Sequence, residues 1–191
     1  MQPVLVAVGG LVASMLGGIA VWELSRVGNH QNYAPSQPIA FPHSVHAGQN
    51  KIPCLYCHYA ARGSRHAGIP PLSICMNCHK MLEKQTVEVE KLLEAVQMQR
   101  PVKWVKVHNL PDFLYFNHSR HVLSGVACQR CHGPVENMDR VRQVSPLTMG
   151  WCLDCHREQA HQPSGSFKRA VLNMSRTPVP VPSLDCANCH H

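Results

Sequence analysis

Twenty consecutive residues near the start of the chain, Pro3 to Trp22, carry no charged side chain. About 20 apolar residues in a helix suffice to cross the hydrocarbon core of a bilayer. Gly9, Gly10, Gly17 and Gly18 interrupt the run, and membrane helices tolerate glycine. Gly10, Ser14 and Gly18 recur every four positions. Such a stripe suits close packing against a second membrane helix, and equally a lipid-facing helix with incidental glycines. No Lys or Arg precedes the run, which is longer than the h-region of a cleaved signal, roughly 7–15 residues. The following Val21–Arg26 lacks a small-residue cleavage site. Residues 1–24 are therefore expected to be a retained, single-pass anchor helix.

Beyond the anchor, residues 25–40 are rich in Pro, Asn and Gln and are expected to be a tether. Periodic hydrophobicity then stands out once. Leu82, Val89, Leu92, Leu93 and Val96 recur at helical spacing, with Glu83, Glu90, Lys91 and Glu94 between them. This predicts a helix over Leu82–Gln99 that ends before Pro101. No run alternates as a strand does. With 15 prolines and an extended Thr177–Pro182 segment, the expected fold is mainly irregular and α-helical, with little or no β-structure.

An internal repeat orders the rest. Phe41-Pro42-His43-Ser44-Val45-His46 and Phe116-Asn117-His118-Ser119-Arg120-His121 share the pattern F-x-H-S-x-H, 75 residues apart. Each precedes a Cys-x-x-Cys-His motif, and there are five such motifs. They are Cys54/Cys57/His58, Cys75/Cys78/His79, Cys128/Cys131/His132, Cys152/Cys155/His156 and Cys186/Cys189/His190, and they use all ten cysteines. This spacing is the c-type haem attachment signature, in which two thiols form thioethers and the adjacent histidine ligates iron. Disulfides would leave the five histidines unexplained. Zinc half-sites share Cys-x-x-Cys but need pairing, and five is an odd number. Five haem c groups are expected. The repeat divides the remainder into a first dihaem module over 41–100, a second over 101–160, and a C-terminal segment over 161–191 with the fifth haem.

Nine histidines remain outside the motifs. His43, His46, His118 and His121 recur as pairs three apart, one helical turn, and are the expected distal ligands. Spacing leaves the fifth distal ligand open among His66, His108, Met149 and His161. His30 and His191 lie in segments poorly suited to hold a ligand. The formal charge is +7 and the pI about 9.0, but ten propionates would bring the holoprotein near −3. The basic residues are scattered without interleaved aromatics, so nucleic-acid binding is not supported.

The F-x-H-x-x-H arrangement upstream of Cys-x-x-Cys-His resembles the class III multihaem cytochromes of the c3/c7 type, whose modules wrap around their haems. The resemblance implies that His43 serves the haem on Cys54/Cys57 and His118 the haem on Cys128/Cys131, while His46 and His121 reach neighbouring haems. Over nearly the whole chain, Arg65–Pro70, Cys75–Lys80, Phe113–His121 and Met149–His156 are similar to the pentahaem subunit of alternative complex III. That implies relay of electrons from quinol oxidation in a bacterial cytoplasmic membrane, with the haem domain on the periplasmic side. It also implies partners: membrane quinol-binding subunits, an iron–sulfur subunit, a monohaem cytochrome c and lipid. A stand-alone anchored cytochrome feeding a soluble periplasmic reductase is the alternative. No substrate chemistry of its own is expected beyond electron transfer, because a catalytic haem needs an open axial position and no motif is altered to provide one.

Overall fold

The computed structural model describes residues 2–24, 28–82, 86–160 and 182–190. Helix α1 spans Gln2–Leu24, and Val6–Leu24 is long and apolar enough to cross a membrane. Its described side chains are exposed throughout, as suits a helix that meets lipid or another helix rather than its own domain. The rest is built of short helices: α2 (Cys54–Cys57), α3 (Leu72–His79), α4 (Val87–Gln97), α5 (His118–Leu123), α6 (Gln129–His132) and α7 (Met149–Ala160). A π-helical turn, Ser44–Gln49, and three 3₁₀ turns complete them. Among the described residues there is no strand, only one antiparallel bridge between Leu114 and His190.

The expected helix over Leu82–Gln99 is shorter at both ends. Thr86 is extended and its hydroxyl accepts from the Val89 N–H, so the helix starts at Val87 although the apolar period runs further back. Glu88 and Glu90 in the first turn suit the positive end of the helix dipole. At the other end Gln99 turns to φ +50.

Residues 28–40, expected as a tether, lie along the domain. Asn32 N–H donates to the Gln143 carbonyl at 2.7 Å, and Gln143 N–H donates to the Tyr33 carbonyl at 3.1 Å. Val105 N–H donates to Gln37 Oε1 at 2.8 Å, and Ala40 N–H to Glu88 Oε2 at 2.6 Å. The modules expected over 41–100 and 101–160 interlock. Ser44 N–H donates to the Met138 carbonyl at 3.1 Å, and its hydroxyl bonds Asp139. Ser119 N–H reaches back to the Ser64 carbonyl at 3.1 Å.

The polypeptide's own core is small. Among the described residues the buried apolar side chains are Ile39, Ala61, Leu92 and Met138. Domains of about 150 residues normally bury some 68–70% of their surface around a side-chain core. Here the chain is arranged around its motifs instead.

Candidate functional site: a chain of five Cys-x-x-Cys-His motifs

The two F-x-H-S-x-H units are the same object twice. Phe41 meets His43 edge-on at 4.9 Å and stacks on His46 at 4.1 Å; Phe116 meets His118 edge-on at 4.8 Å and stacks on His121 at 4.6 Å. In each unit the second histidine donates from Nδ1 to a carbonyl four residues back, His46 to Pro42 and His121 to Asn117, both at 2.9 Å. A carbonyl only accepts, so the proton sits on Nδ1 and Nε2 keeps its lone pair. That is the state of an imidazole ready to ligate a metal through Nε2. The phenylalanines were visible in the repeat but carry no donor atom. Their part is to brace both rings.

The motif histidines are held in the same way. His58 Nδ1–H donates to the Gly68 carbonyl at 2.8 Å and His156 Nδ1–H to the Ser183 carbonyl at 2.9 Å. Gly68 has φ +72, a conformation glycine adopts without penalty. His118 Nδ1–H donates to the Arg65 carbonyl at 2.9 Å. Nδ1 of His43 and of His79 is buried without a partner. His132 pairs with a side chain, its Nδ1 lying 3.1 Å from His108 Nε2.

Three cross-motif pairs have a common spacing. Ring centres of His46 and His79 are 6.1 Å apart, of His121 and His156 6.1 Å, and of His118 and His132 6.3 Å with nearly parallel planes. Two imidazoles that shared one metal ion from opposite sides, with bonds of about 2.0 Å and about 1.1 Å from each Nε2 to its ring centre, would stand roughly 6.2 Å apart. For His43 the charges that act on it most are those of His58 and then His46. Burial, then these neighbours, lowers His43 to about 4. Burial, then His108, His118 and His58, lowers His132 to about 4. Burial is also the main cause lowering His79 and His121. Neutral rings are what metal ligation requires.

The ten cysteines are free, which leaves the disulfide alternative without support. Among the described residues no group of three or more His, Cys, Asp or Glu is placed to hold a metal ion, so the zinc alternative gains none either. Burial first, then the Cys155 and Cys152 thiols, pushes Cys131 up to about 11. Burial and neighbouring thiols also raise Cys57, with Cys75 the nearest influence, and Cys152, with Cys189. Cys128 is raised by burial and then by the neighbouring Cys54 thiol. Thiols from different motifs are thus neighbours.

Direct contacts link the same motifs. Asn77, inside the second, donates to the Tyr56 hydroxyl inside the first at 2.9 Å. Arg130, inside the third, lies 3.1 Å from Glu158 just after the fourth. The Ser183 carbonyl accepts from His156 Nδ1–H, and its hydroxyl accepts from Asn188 inside the fifth motif at 2.7 Å. Near the fifth, Tyr115 N–H donates to the Cys189 carbonyl at 2.8 Å, Arg65 lies 3.9 Å over the Tyr115 ring, and Phe113 stacks on His190 at 5.7 Å.

The four candidates for a fifth distal ligand fall in different places. His108 faces His132. Met149 is an exposed residue at the start of α7. His66 is exposed beside Arg65, on the route to Tyr115 and Cys189. His161 lies outside the described residues. A cleft of about 540 Å³ between α3 and α4, lined by Leu72, Met76, Lys80, Val96 and Arg100 among others, does not include Cys75, Cys78 or His79.

Comparison with known proteins settles the class of the C-terminal part. Residues 120–191 match the cytochrome c3 family. That stretch holds His121 and the third, fourth and fifth motifs, so this part of the chain is a c3-type multihaem domain and its cofactor is c-type haem. The chain is also similar to the multiheme cytochrome c subunit of menaquinone reductase from Nitratidesulfovibrio vulgaris (strain Hildenborough). The two are 34% identical over 97 residues, 50% of this chain and 45% of the relative. The chain thus spans about half the length of the curated relative it matches. The donor set fits haem c: thiol pairs with an adjacent histidine, neutral buried rings, Nε2 left free by carbonyls at Nδ1, and pairs of such rings 6.1–6.3 Å apart.

Proposed function

We propose that this chain is a membrane-anchored electron-transfer subunit carrying five covalent c-type haems. In this reading it relays electrons between a membrane quinone pool and an acceptor, within a quinol:acceptor oxidoreductase of the alternative complex III type. The observation that carries the reading is the set of cross-motif imidazole pairs at 6.1–6.3 Å, each joining a motif histidine to a histidine of a repeated unit. Bound haem supplies reversible one-electron chemistry at its iron, and the protein tunes its potential through ligand, burial and hydrogen bonding.

The residues divide the work. Cys54/Cys57, Cys75/Cys78, Cys128/Cys131, Cys152/Cys155 and Cys186/Cys189 fix the cofactors, and His58, His79, His132, His156 and His190 are the proximal ligands. In this reading His43 pairs with His58, His46 with His79, His118 with His132 and His121 with His156. For the fifth site His66 is assigned as distal ligand, because Arg65 beside it stacks on Tyr115, which is bonded to Cys189. From the contacts between motifs we infer a linear order, second, first, third, fourth, fifth. Asn77–Tyr56 joins the first two, Cys54–Cys128 crosses between the modules, Arg130–Glu158 follows, and Ser183 joins the last two. Chain order and wire order therefore differ at the beginning.

The relative is named for reducing menaquinone, the opposite sense to quinol oxidation. A wire of this kind conducts either way, and partner potentials set the direction. Helix α1 would hold the domain to the cytoplasmic membrane, with the haems on the periplasmic side. The test is purification from native membranes in mild detergent, with haem staining and mass spectrometry of co-migrating bands. Stoichiometric quinol-binding membrane subunits, an iron–sulfur protein and a monohaem cytochrome are expected. This chain alone across several detergents would favour the stand-alone cytochrome serving a soluble reductase.

A further inference from the structure

Every motif or paired histidine with a hydrogen-bonded Nδ1 uses a backbone carbonyl, with one exception. The exception is His132, whose Nδ1 meets the Nε2 of His108 at 3.1 Å, the rings nearly perpendicular at 85° with centres 4.4 Å apart. His118 lies nearly parallel to His132 with ring centres 6.3 Å apart, and His108 meets His132 at Nδ1, the nitrogen that ligation through Nε2 leaves free. We propose that His108 is a positioning residue for the third haem: a neutral acceptor that holds the Nδ1–H of His132 and lowers the potential of the iron His132 ligates. The proposal rests on the haem reading of Cys128–His132.

The chemistry follows from the donor count. If His132 gives Nε2 to iron, its one proton is on Nδ1, and His108 Nε2 must accept it. That lone pair is then committed and is not available to a second metal. An accepted Nδ1–H makes the imidazole a stronger donor to the metal, which favours the ferric state. An imidazole nitrogen is a more basic acceptor than an amide carbonyl, so the third site is distinguished from the others in the wire.

The fold invests in this placement. The N–H of Asn109, next to His108, donates to Gln143 Oε1 at 2.9 Å. Gln143 is fully buried. Its backbone is tied on both sides to Asn32 and Tyr33, and its side-chain amide also reaches the Pro146 carbonyl at 3.5 Å. The 28–40 segment thus serves to clamp the loop that presents His108. The third site is also the middle of the wire, where its potential governs traffic between the two arms.

The test is redox titration of the purified haem-loaded chain and of His108→Leu, His108→Met and His108→Gln, with haem counted by pyridine haemochrome and spin state read by electron paramagnetic resonance. The wild type is read first. Absence of haem on the Cys128–Cys131 peptide overturns the parent reading and this proposal with it. With haem present there, His108→Leu and His108→Met are expected to keep every haem low-spin. One haem should shift toward the ferrous state by roughly tenfold, about 59 mV for one electron. His108→Gln, which restores an acceptor oxygen, should recover most of the shift. A haem that turns high-spin in the leucine and methionine variants would make His108 an axial ligand and overturn the proposal. Unchanged or lowered potentials in both would also overturn it.

Discussion

The two histidine-pair units share their phenylalanine bracing and one ring pair at 6.1 Å, His46–His79 in the first and His121–His156 in the second, yet they differ in how the rings are held. In the second unit all four rings, His118, His121, His132 and His156, have a partner at Nδ1. In the first, His46 and His58 have carbonyls, while Nδ1 of His43 and of His79 is buried and unpartnered. The supports of the second unit come from elsewhere in the chain: Arg65 from the first module, Ser183 from the C-terminal segment, His108 from the clamped loop. A repeated motif therefore places the same pair of rings twice, and unrepeated neighbours decide what most of their Nδ1 atoms meet.

The largest expected effect comes from cutting the wire where the two units meet. Cys128→Ser should lower the haem content from five to four per chain by pyridine haemochrome. It should also stop electrons put in at the second site from reaching the fifth, whereas Cys75→Ser, at one end of the order, should leave transfer among the remaining sites intact. Equal interruption by both variants would break the linear order. Next comes loss of a distal ligand. His46→Ala and His121→Ala should each convert one low-spin haem to high-spin, and because the units are equivalent at this level the two spectra should match. His46→Met should keep the low-spin state and raise the potential.

The hydrogen-bond difference gives a subtler separation. Sites ligated by His118/His132 and His121/His156 should titrate below those ligated by His43/His58 and His46/His79. A spread of about 59 mV corresponds to a tenfold preference. A single common potential for all four would mean that Nδ1 partners do not matter here.

Two glycines behind the first and third motifs sharpen the contrast in packing. Gly133 has φ +71 and ψ −168, a region essentially confined to glycine. A Cβ there would meet Val144 Cγ2 at 2.7 Å, whereas one at Gly68 (φ +72) would meet only Ala60 Cβ at 3.7 Å. Gly133→Ala should cost roughly 2–4 kcal/mol and Gly68→Ala about 1 kcal/mol, read as thermal midpoints of the haem-loaded protein. The smallest effect is at Glu88, on the surface. Its hydrogen bonds from Lys91 and then Ala40 N–H hold its carboxyl below the ordinary value of 4.5. A depressed folded value stabilises above the unfolded one and is lost as pH falls through the folded one. Glu88→Gln should therefore lower the midpoint slightly at neutral pH and make no difference in strong acid.

What the sequence made legible tracks what is local. Helix α1 follows from uninterrupted apolar composition, and the motifs and histidine pairs follow from spacing. Periodicity alone overran helix α4, because the cap at Thr86 is a backbone choice that Leu82 and Glu83 do not announce. The 25–40 stretch reads as loop by composition, and its ties to Gln143 and Glu88 are long-range. The Nδ1 acceptors were illegible because most are backbone carbonyls, and every residue has one. Only the fold says that Arg65 serves His118 and Ser183 serves His156. His108 stood among the distal candidates because a spare histidine near a motif looks like a ligand. Its direction, toward the side of His132, exists only in three dimensions.

The proposed function requires that one chain hold five covalent haems, each between two histidines. Intact mass of the purified chain, paired with pyridine haemochrome and electron paramagnetic resonance on the same sample, tests it directly. Five haem masses per chain with uniformly low-spin iron is the expected result. Fewer than five haems, or stoichiometric zinc with free thiols, would contradict it.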